Sequence, residues 1–291
     1  MAPAGSRPQR GRGAVAAPVT SARMRDVVVA SFNVHGGVDG QGRPFDVVEA
    51  CRQLDADLLV LQETWTPDQG ESLARHVGDA LGYHVEELAM ARARLASPSP
   101  TDVVPPSWGP VLRVSGPYGL RVGIPPPGRA PQAGQALASR HGTWGMAFLS
   151  RVPLLATATL DLGQLLRDPA RRGAIAVDVD IGGRPLRVIG THMSHLSNGS
   201  VLQLRSLHRL ITDPARPAVL TGDMNLWGPP LSALLPGWSR IVRGRTWPAW
   251  RPVAQLDHIL VTAGVRQLGA GQVMAVAGSD HLPVRARVTL A

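Results

Sequence analysis

Asp223 and Asn225 stand two apart in Leu220-Thr221-Gly222-Asp223-Met224-Asn225-Leu226, directly after the apolar run Ala218-Val219-Leu220. In an extended segment, residues i and i+2 face the same side. A carboxylate and a carboxamide therefore share one direction at the end of a buried strand, where Gly222 lets the backbone pass close to a neighbour. Such a pair can serve as a base beside a hydrogen-bond donor, or as ligands for a hard cation. It also fits an ordinary turn, in which Asp and Asn bond their own backbone.

Other strand ends carry similar chemistry. Asn33 follows the run Asp26 to Phe32, Glu63 follows Asp57 to Leu61, and His192 follows Leu186 to Thr191. Asp257 lies in the strand Leu256–Val261, and Asp280-His281 precedes the last strand, Val284–Leu290. Each has a local explanation as a turn residue, a helix cap or an ion-pair partner. Together they make a set of metal- and phosphate-binding side chains that one rim of a sheet stack would assemble.

The positioning elements follow from periodicity. β-branched runs give strands, and Ala174–Ile181 alternates cleanly before a Gly182-Gly183 turn into Leu186–Thr191, a hairpin. Helices are expected at about Phe45–Asp55, Ser72–Leu81 and Val201–Ile211. Many strands, few helices, and both hairpin and helical connections predict an α+β domain with two packed sheets and outer helices.

Composition sets bounds. At 291 residues and 44% hydrophobic, the chain supports a sizeable core. No apolar run approaches the length of a membrane span. The single cysteine, Cys51, lies in a helical apolar pattern; it rules out an intramolecular disulfide and reads as a small buried side chain. The net charge is +9 and every basic residue is Arg. Residues 1–25 hold five Arg and no acid, and residues 89–140 hold six Arg against Asp102 alone. The rest is near neutral, so two appendages rather than the core offer help with a polyanion.

Residues 1–24 lack periodicity and read as a disordered Arg-rich tail; residues 25–291 read as one domain. The apolar stretch Ala14 to Val19 is short and broken by Pro18, a poor secretory signal. Met24 offers a later start, and the expectation is a cytoplasmic monomer. Residues 89–140 are dense in Pro and read as a long loop insertion without regular structure. Trp227 to Trp250 reads as a Trp- and Pro-rich loop.

In chain order, the motifs are Ser31-Phe32-Asn33-Val34-His35-Gly36, Leu61-Gln62-Glu63-Thr64, Gly145 to Pro153 and Gly190-Thr191-His192-Met193-Ser194. They continue with Gly222-Asp223-Met224-Asn225, Leu256-Asp257-His258-Ile259-Leu260 and Ser279-Asp280-His281-Leu282-Pro283-Val284. This ordered set resembles the endonuclease/exonuclease/phosphatase superfamily, which includes apurinic endonucleases, pancreatic-type deoxyribonucleases, neutral sphingomyelinases and inositol polyphosphate 5-phosphatases. The resemblance implies a four-layered α/β sandwich, with two face-to-face, mostly antiparallel sheets and outer helices. It also implies hydrolysis of a phosphate ester with Mg²⁺ or Mn²⁺, which neutralises the ester and orients its oxygens.

Carried over residue by residue, Glu63 matches the family's central metal carboxylate, with Asn33 beside it and Asp280 at or near the same ion. Asp223 matches the residue that activates the attacking water, and Asn225 the donor to a phosphoryl oxygen. His281 matches the imidazole on the scissile phosphate, oriented by Asp257, and His192 a second phosphate-contacting histidine. Arg172 falls where members keep a basic residue near the substrate. Thr246-Trp247-Pro248 resembles a segment that lines the site, and Trp227 and Trp247 offer surfaces for a base, for lipid or for loop packing. His258, next to Asp257 in a strand, is expected to face the other way and pack, while His35 and His195 are rim candidates. A nuclease is the leading reading of the substrate. The alternative is a phosphatase or phospholipase-C-like hydrolase of a small phosphorylated metabolite or lipid head group. A catalytically inactive binding protein would leave this full set of competent side chains unused.

Overall fold

β1 (Asp26–Asn33) is buried on both faces. Its side chains alternate between two cores: Val27 and Val29 face one, Val28, Ala30 and Phe32 the other. β2 (Leu58–Pro67) does the same, with Leu58 and Val60 on one side and Leu59 and Leu61 on the other. That period-two division requires a layer covered on both faces. The computed structural model describes residues 26–40, 43–97, 111–114, 120–122, 138–196, 198–211, 213, 216–276 and 278–291.

The remaining strands are β3 (His84–Ser97), β4 (Val111–Val114), β5 (Leu120–Val122), β6 (Ala138–Ser150), β7 (Leu154–Gln164), β8 (Arg171–Ile181) and β9 (Arg184–His192). They are followed by β10 (Ala218–Asp223), β11 (Ser239–Arg240), β12 (Asp257–Val261), β13 (Val265–Val273) and β14 (Val284–Leu290). They form an eight-stranded sheet in the order β13-β14-β1-β2-β6-β3-β4-β5 and a six-stranded sheet in the order β11-β12-β10-β9-β8-β7. Among the described residues, only β1 with β2 and β10 with β9 run parallel. Helices α1 (Val47–Leu54) and α2 (Leu73–Leu81) cover the outer face of the first sheet. Helices α3 (Gly199–Ile211) and α4 (Gly228–Leu234) cover that of the second. The product is the expected four-layered sandwich.

Asp46 and Ser72 cap α1 and α2 by accepting from the amides of Glu49 and Arg75, each worth about 1 kcal/mol. Burying a residue such as Leu59 or Leu61 contributes roughly 1.5–3 kcal/mol. Cys51 is fully buried as expected, and burial pushes its thiol up to about 12. No helix among the described residues is long and apolar enough to cross a membrane.

Three expectations change. Within 89–140, the end of β3, β4, β5 and the start of β6 are strands. The prolines all lie outside those segments and flank the short strands between them. The Trp227–Trp250 stretch contains α4 and β11; α4 takes its two prolines in its first turn, where no amide is needed. β13 was not foreseen, because two glycines interrupt the alternation of an edge strand. The Arg-rich tail, residues 1–24, lies outside the described residues.

Candidate active site

The ends of β1, β9 and β10 meet at one rim. β12 is antiparallel to β10, so its first residue, Asp257, pairs with the last residue of β10, Asp223. β14 is antiparallel to β1, so the segment before it brings Asp280 and His281 to the same rim. Asp257 therefore stands at the start of its strand and Asp280 and His281 just before theirs, as the apolar runs Leu256–Val261 and Val284–Leu290 implied.

Asp223 is the junction. Asn33 Nδ2 donates to Asp223 Oδ2 at 3.0 Å and to Glu63 Oε1 at 3.1 Å, tying the two sheets together. His192 Nε2 lies 3.6 Å from Asp223 Oδ2 and 3.9 Å from Glu63 Oε1. His281 Nε2 approaches the same Asp223 oxygen at 3.8 Å, while its Nδ1 is 2.8 Å from Asp257 Oδ2. Asn225 returns its amide to Asp223 Oδ1 at 2.9 Å, and its side chain donates to the Met193 carbonyl. Gly222 has φ 147°, and a side chain there would meet the Thr191 carbonyl oxygen at 2.0 Å. The close neighbour is thus β9, and the contact aligns Asp223 with His192.

Glu63 is the extra residue of a bulge between Gln62 and Thr64, with φ 56°. His35 and Asn225 also have positive φ, at 46° and 47°. Left-handed backbone costs a side-chain-bearing residue on the order of 1–3 kcal/mol, least for Asn, Asp and His. For Glu63, the bulge turns one carboxylate out of the ladder and toward Asn33. Its second oxygen, Oε2, is buried with no hydrogen-bond partner. Buried carboxylate oxygens are seldom left unpaired, so this atom fits a ligand position for a hard divalent cation. Ligand-capable atoms of Asp223, Asp257 and His281 also lie within 4.8 Å of one another. In that group, however, the imidazole Nδ1 already serves Asp257. Asp280 reaches Asn33 through Ser279, whose hydroxyl donates to the Asn33 carbonyl at 2.6 Å and sits 3.3 Å from Asp280 Oδ1. Asp280 also accepts from Trp247 Nε1 at 3.4 Å and lies 3.6 Å from His35 Nδ1.

The electrostatics separate the two histidines. Burial pushes His192 well below the usual range, and the charges of Arg172 and His281 push it the same way. It is a neutral imidazole. Burial would also lower His281, but Asp257 and Asp223 together outweigh it and hold it well above the usual range as an imidazolium. Asp223 is pushed up to about 7, chiefly by burial, with Asp257 adding to the effect and His281 opposing it.

The other expected site residues divide. Thr246 does not line an open surface; it is fully buried and accepts from the amides of Leu256 and Asp257, which sets the position of Asp257. Trp247 holds Asp280, and Trp227 is 60% exposed. His258 faces away, buried, with Nε2 2.8 Å from the Leu226 carbonyl. Arg172 lies inside β8 rather than before it and is buried. Its guanidinium donates from Nε to Asp168 at 3.0 Å and sits 4.9 Å from the centroid of the Trp144 ring. Trp144 in turn packs against His192, 5.1 Å between ring centroids. Arg172 thus reaches the site through Trp144 and His192. Asp168 and Trp144 were missed: nothing in periodicity marks a loop carboxylate that pairs four residues on.

The buried pair carries a prediction. Asp168→Ala leaves the Arg172 charge uncompensated and should cost roughly 3–5 kcal/mol, read as a drop in denaturant midpoint. An unchanged midpoint would show that the pair does not hold the β7–β8 connection.

This two-sheet scaffold, with a polar cluster at one rim, matches a class of fold already solved. An endonuclease/exonuclease/phosphatase protein from Beutenbergia cavernae aligns with 92% of this chain and 72% of its own, at 20% identity and TM-score 0.59. ANGEL2, a 2',3'-cyclic phosphatase, aligns over 92% and 97% at 16% identity and TM-score 0.60. A humanized D. rerio TDP2 aligns over 91% and 99% at 14% identity and TM-score 0.57. No curated protein sequence matches the chain. Residues 30–281 match the model of the Endonuclease/Exonuclease/phosphatase family, and the chain belongs to that family.

Proposed function

We propose that the protein is a divalent-metal-dependent phosphoesterase that hydrolyses a phosphodiester, with nucleic acid as the leading substrate. The observation that carries this is the convergence of Asn33, His192 and His281 on one oxygen of the buried Asp223, beside the unpartnered oxygen of Glu63. Glu63 would hold Mg²⁺ or Mn²⁺, with Asn33 and Asp280 as its neighbours in the ligand set. When bound, the cation neutralises the phosphate and orients its oxygens. Asp223 orients the attacking water and takes its proton. The His281 imidazolium, fixed by Asp257, stabilises negative charge developing on the phosphoryl oxygens, and neutral His192 donates a hydrogen bond to the same group. Asn225 fixes Asp223 through its amide.

A second reading, hydrolysis of a small phosphate ester, rests on the likeness to ANGEL2, crystallised with adenosine-2',3'-vanadate. A substrate panel with Mg²⁺ and EDTA controls separates the two. Plasmid DNA, abasic DNA, RNA, inositol phosphates and sphingomyelin would be offered; cleavage confined to the last two defeats the nuclease reading.

The rate should depend on pH in a definite direction. The ionised form of Asp223 is the working one, and its raised pKa removes that form as pH falls. Turnover should therefore rise with pH at low pH and level off with a midpoint at or below about 7, lower in the metal-loaded protein. A pH–rate profile flat between about pH 4 and 8 would remove Asp223 from this role.

A further inference from the structure

Two large indoles are exposed on segments that leave the site. Trp227 is 60% exposed and follows Asn225 by two residues; Trp250 is 67% exposed. Trp250 sits on a connection that is rigid by its own hydrogen bonds. Trp247 exchanges backbone bonds with Ala254 at 3.0 Å, and Val253 donates to the Trp247 carbonyl at 2.9 Å. Ala249 donates to the Asp280 carbonyl at 2.7 Å, so this loop is fastened to the segment that carries Asp280 and His281. The indole edge packs on the backbone of Gly40, where any β-carbon would come within 2.2 Å of the ring. The side chain is therefore held in place while most of its surface faces solvent.

The same connection carries Arg243, Arg245 and Arg251, all exposed. None of the three forms an ion pair among the described residues. An exposed aromatic ring on a connection that also carries three exposed arginines suits a strand whose bases are unpaired: the ring stacks a base, and the arginines follow the phosphates. A membrane surface would instead favour a continuous apolar face; here the exposed Trp250 and Val253 are separated in the chain by the exposed Arg251.

We infer that the connection from β11 to β12 is a binding subsite for single-stranded nucleic acid, in which Trp250 stacks an unpaired base beside the scissile phosphate. This rests on the phosphodiesterase reading and names the substrate form that the site takes.

Fluorescence anisotropy with a labelled single-stranded oligonucleotide and a blunt duplex, in Ca²⁺ without turnover, tests it. Trp250→Ala should weaken single-strand binding by about tenfold or more and duplex binding by much less, while Trp250→Phe retains most of it. Replacing Arg243, Arg245 and Arg251 with Gln should lower the magnitude of the salt slope by about 2. Hydrolysis of bis(p-nitrophenyl) phosphate and the metal-induced rise in Tm should be unchanged in all three variants, which establishes that they fold. Equal loss on single strand and duplex, or loss only on phosphatidylserine vesicles, overturns the inference. Single-strand binding without hydrolysis of any phosphodiester would leave the subsite standing and defeat the enzymatic reading.

Discussion

His281→Gln should lower turnover of a phosphodiester by between about 10²- and 10⁴-fold. Among the described residues, the imidazolium that faces Asp223 Oδ2 at 3.8 Å is the positive charge brought to that oxygen. Gln keeps a hydrogen-bond donor but no charge. Asp257→Asn should cost less, about 10- to 100-fold, because Asp257 acts through the histidine as a positioning residue. It should also bring the His281 pKa down, since Asp257 is the first of the groups that hold it up against burial. Steady-state kinetics and an imidazole titration by NMR read the two effects. Wild-type turnover in both variants would remove the histidine from the chemistry.

Glu63→Gln should abolish metal-dependent stabilisation as well as activity. The wild-type carboxylate keeps one buried oxygen without a partner and sits on left-handed backbone that a glutamate adopts only at a cost. A cation stabilises the folded chain by mass action, about 2.7 kcal/mol when its concentration is 100 times the Kd. The wild type should therefore melt higher in Mg²⁺ or Mn²⁺ than in EDTA. Glu63→Gln, isosteric and uncharged, should melt at one temperature in both and lose on the order of 10³ in turnover. An unchanged metal response would move the cation to the Asp223, Asp257 and His281 group, whose atoms also lie close together.

Much of this was legible before any fold. The Asp223 and Asn225 pair, the Glu63 segment and the Ser279-Asp280-His281 segment mark themselves because polar residues border apolar runs, although β2 continues through Glu63 as far as Pro67. The four-layer arrangement follows from the two-sided burial that those apolar runs require. The pairing at the rim was hidden: the starts of β12 and β14 meet the ends of β10 and β1 only because those pairs run antiparallel, which is a property of the sheet. The burial of Arg172 was hidden for the same reason, since its partners Asp168 and Trp144 come from a loop and from a strand of the other sheet. The exposure of Trp250 depends on a loop held by backbone bonds to Asp280, which no local pattern encodes.

Hydrolysis of bis(p-nitrophenyl) phosphate by the full chain, in Mg²⁺ or Mn²⁺ and again after EDTA, tests the central claim most directly. The expected result is release of p-nitrophenol that stops with EDTA, returns with added metal, and is absent from Glu63→Gln. No release from the wild type under any metal, or release that EDTA leaves untouched, would contradict it.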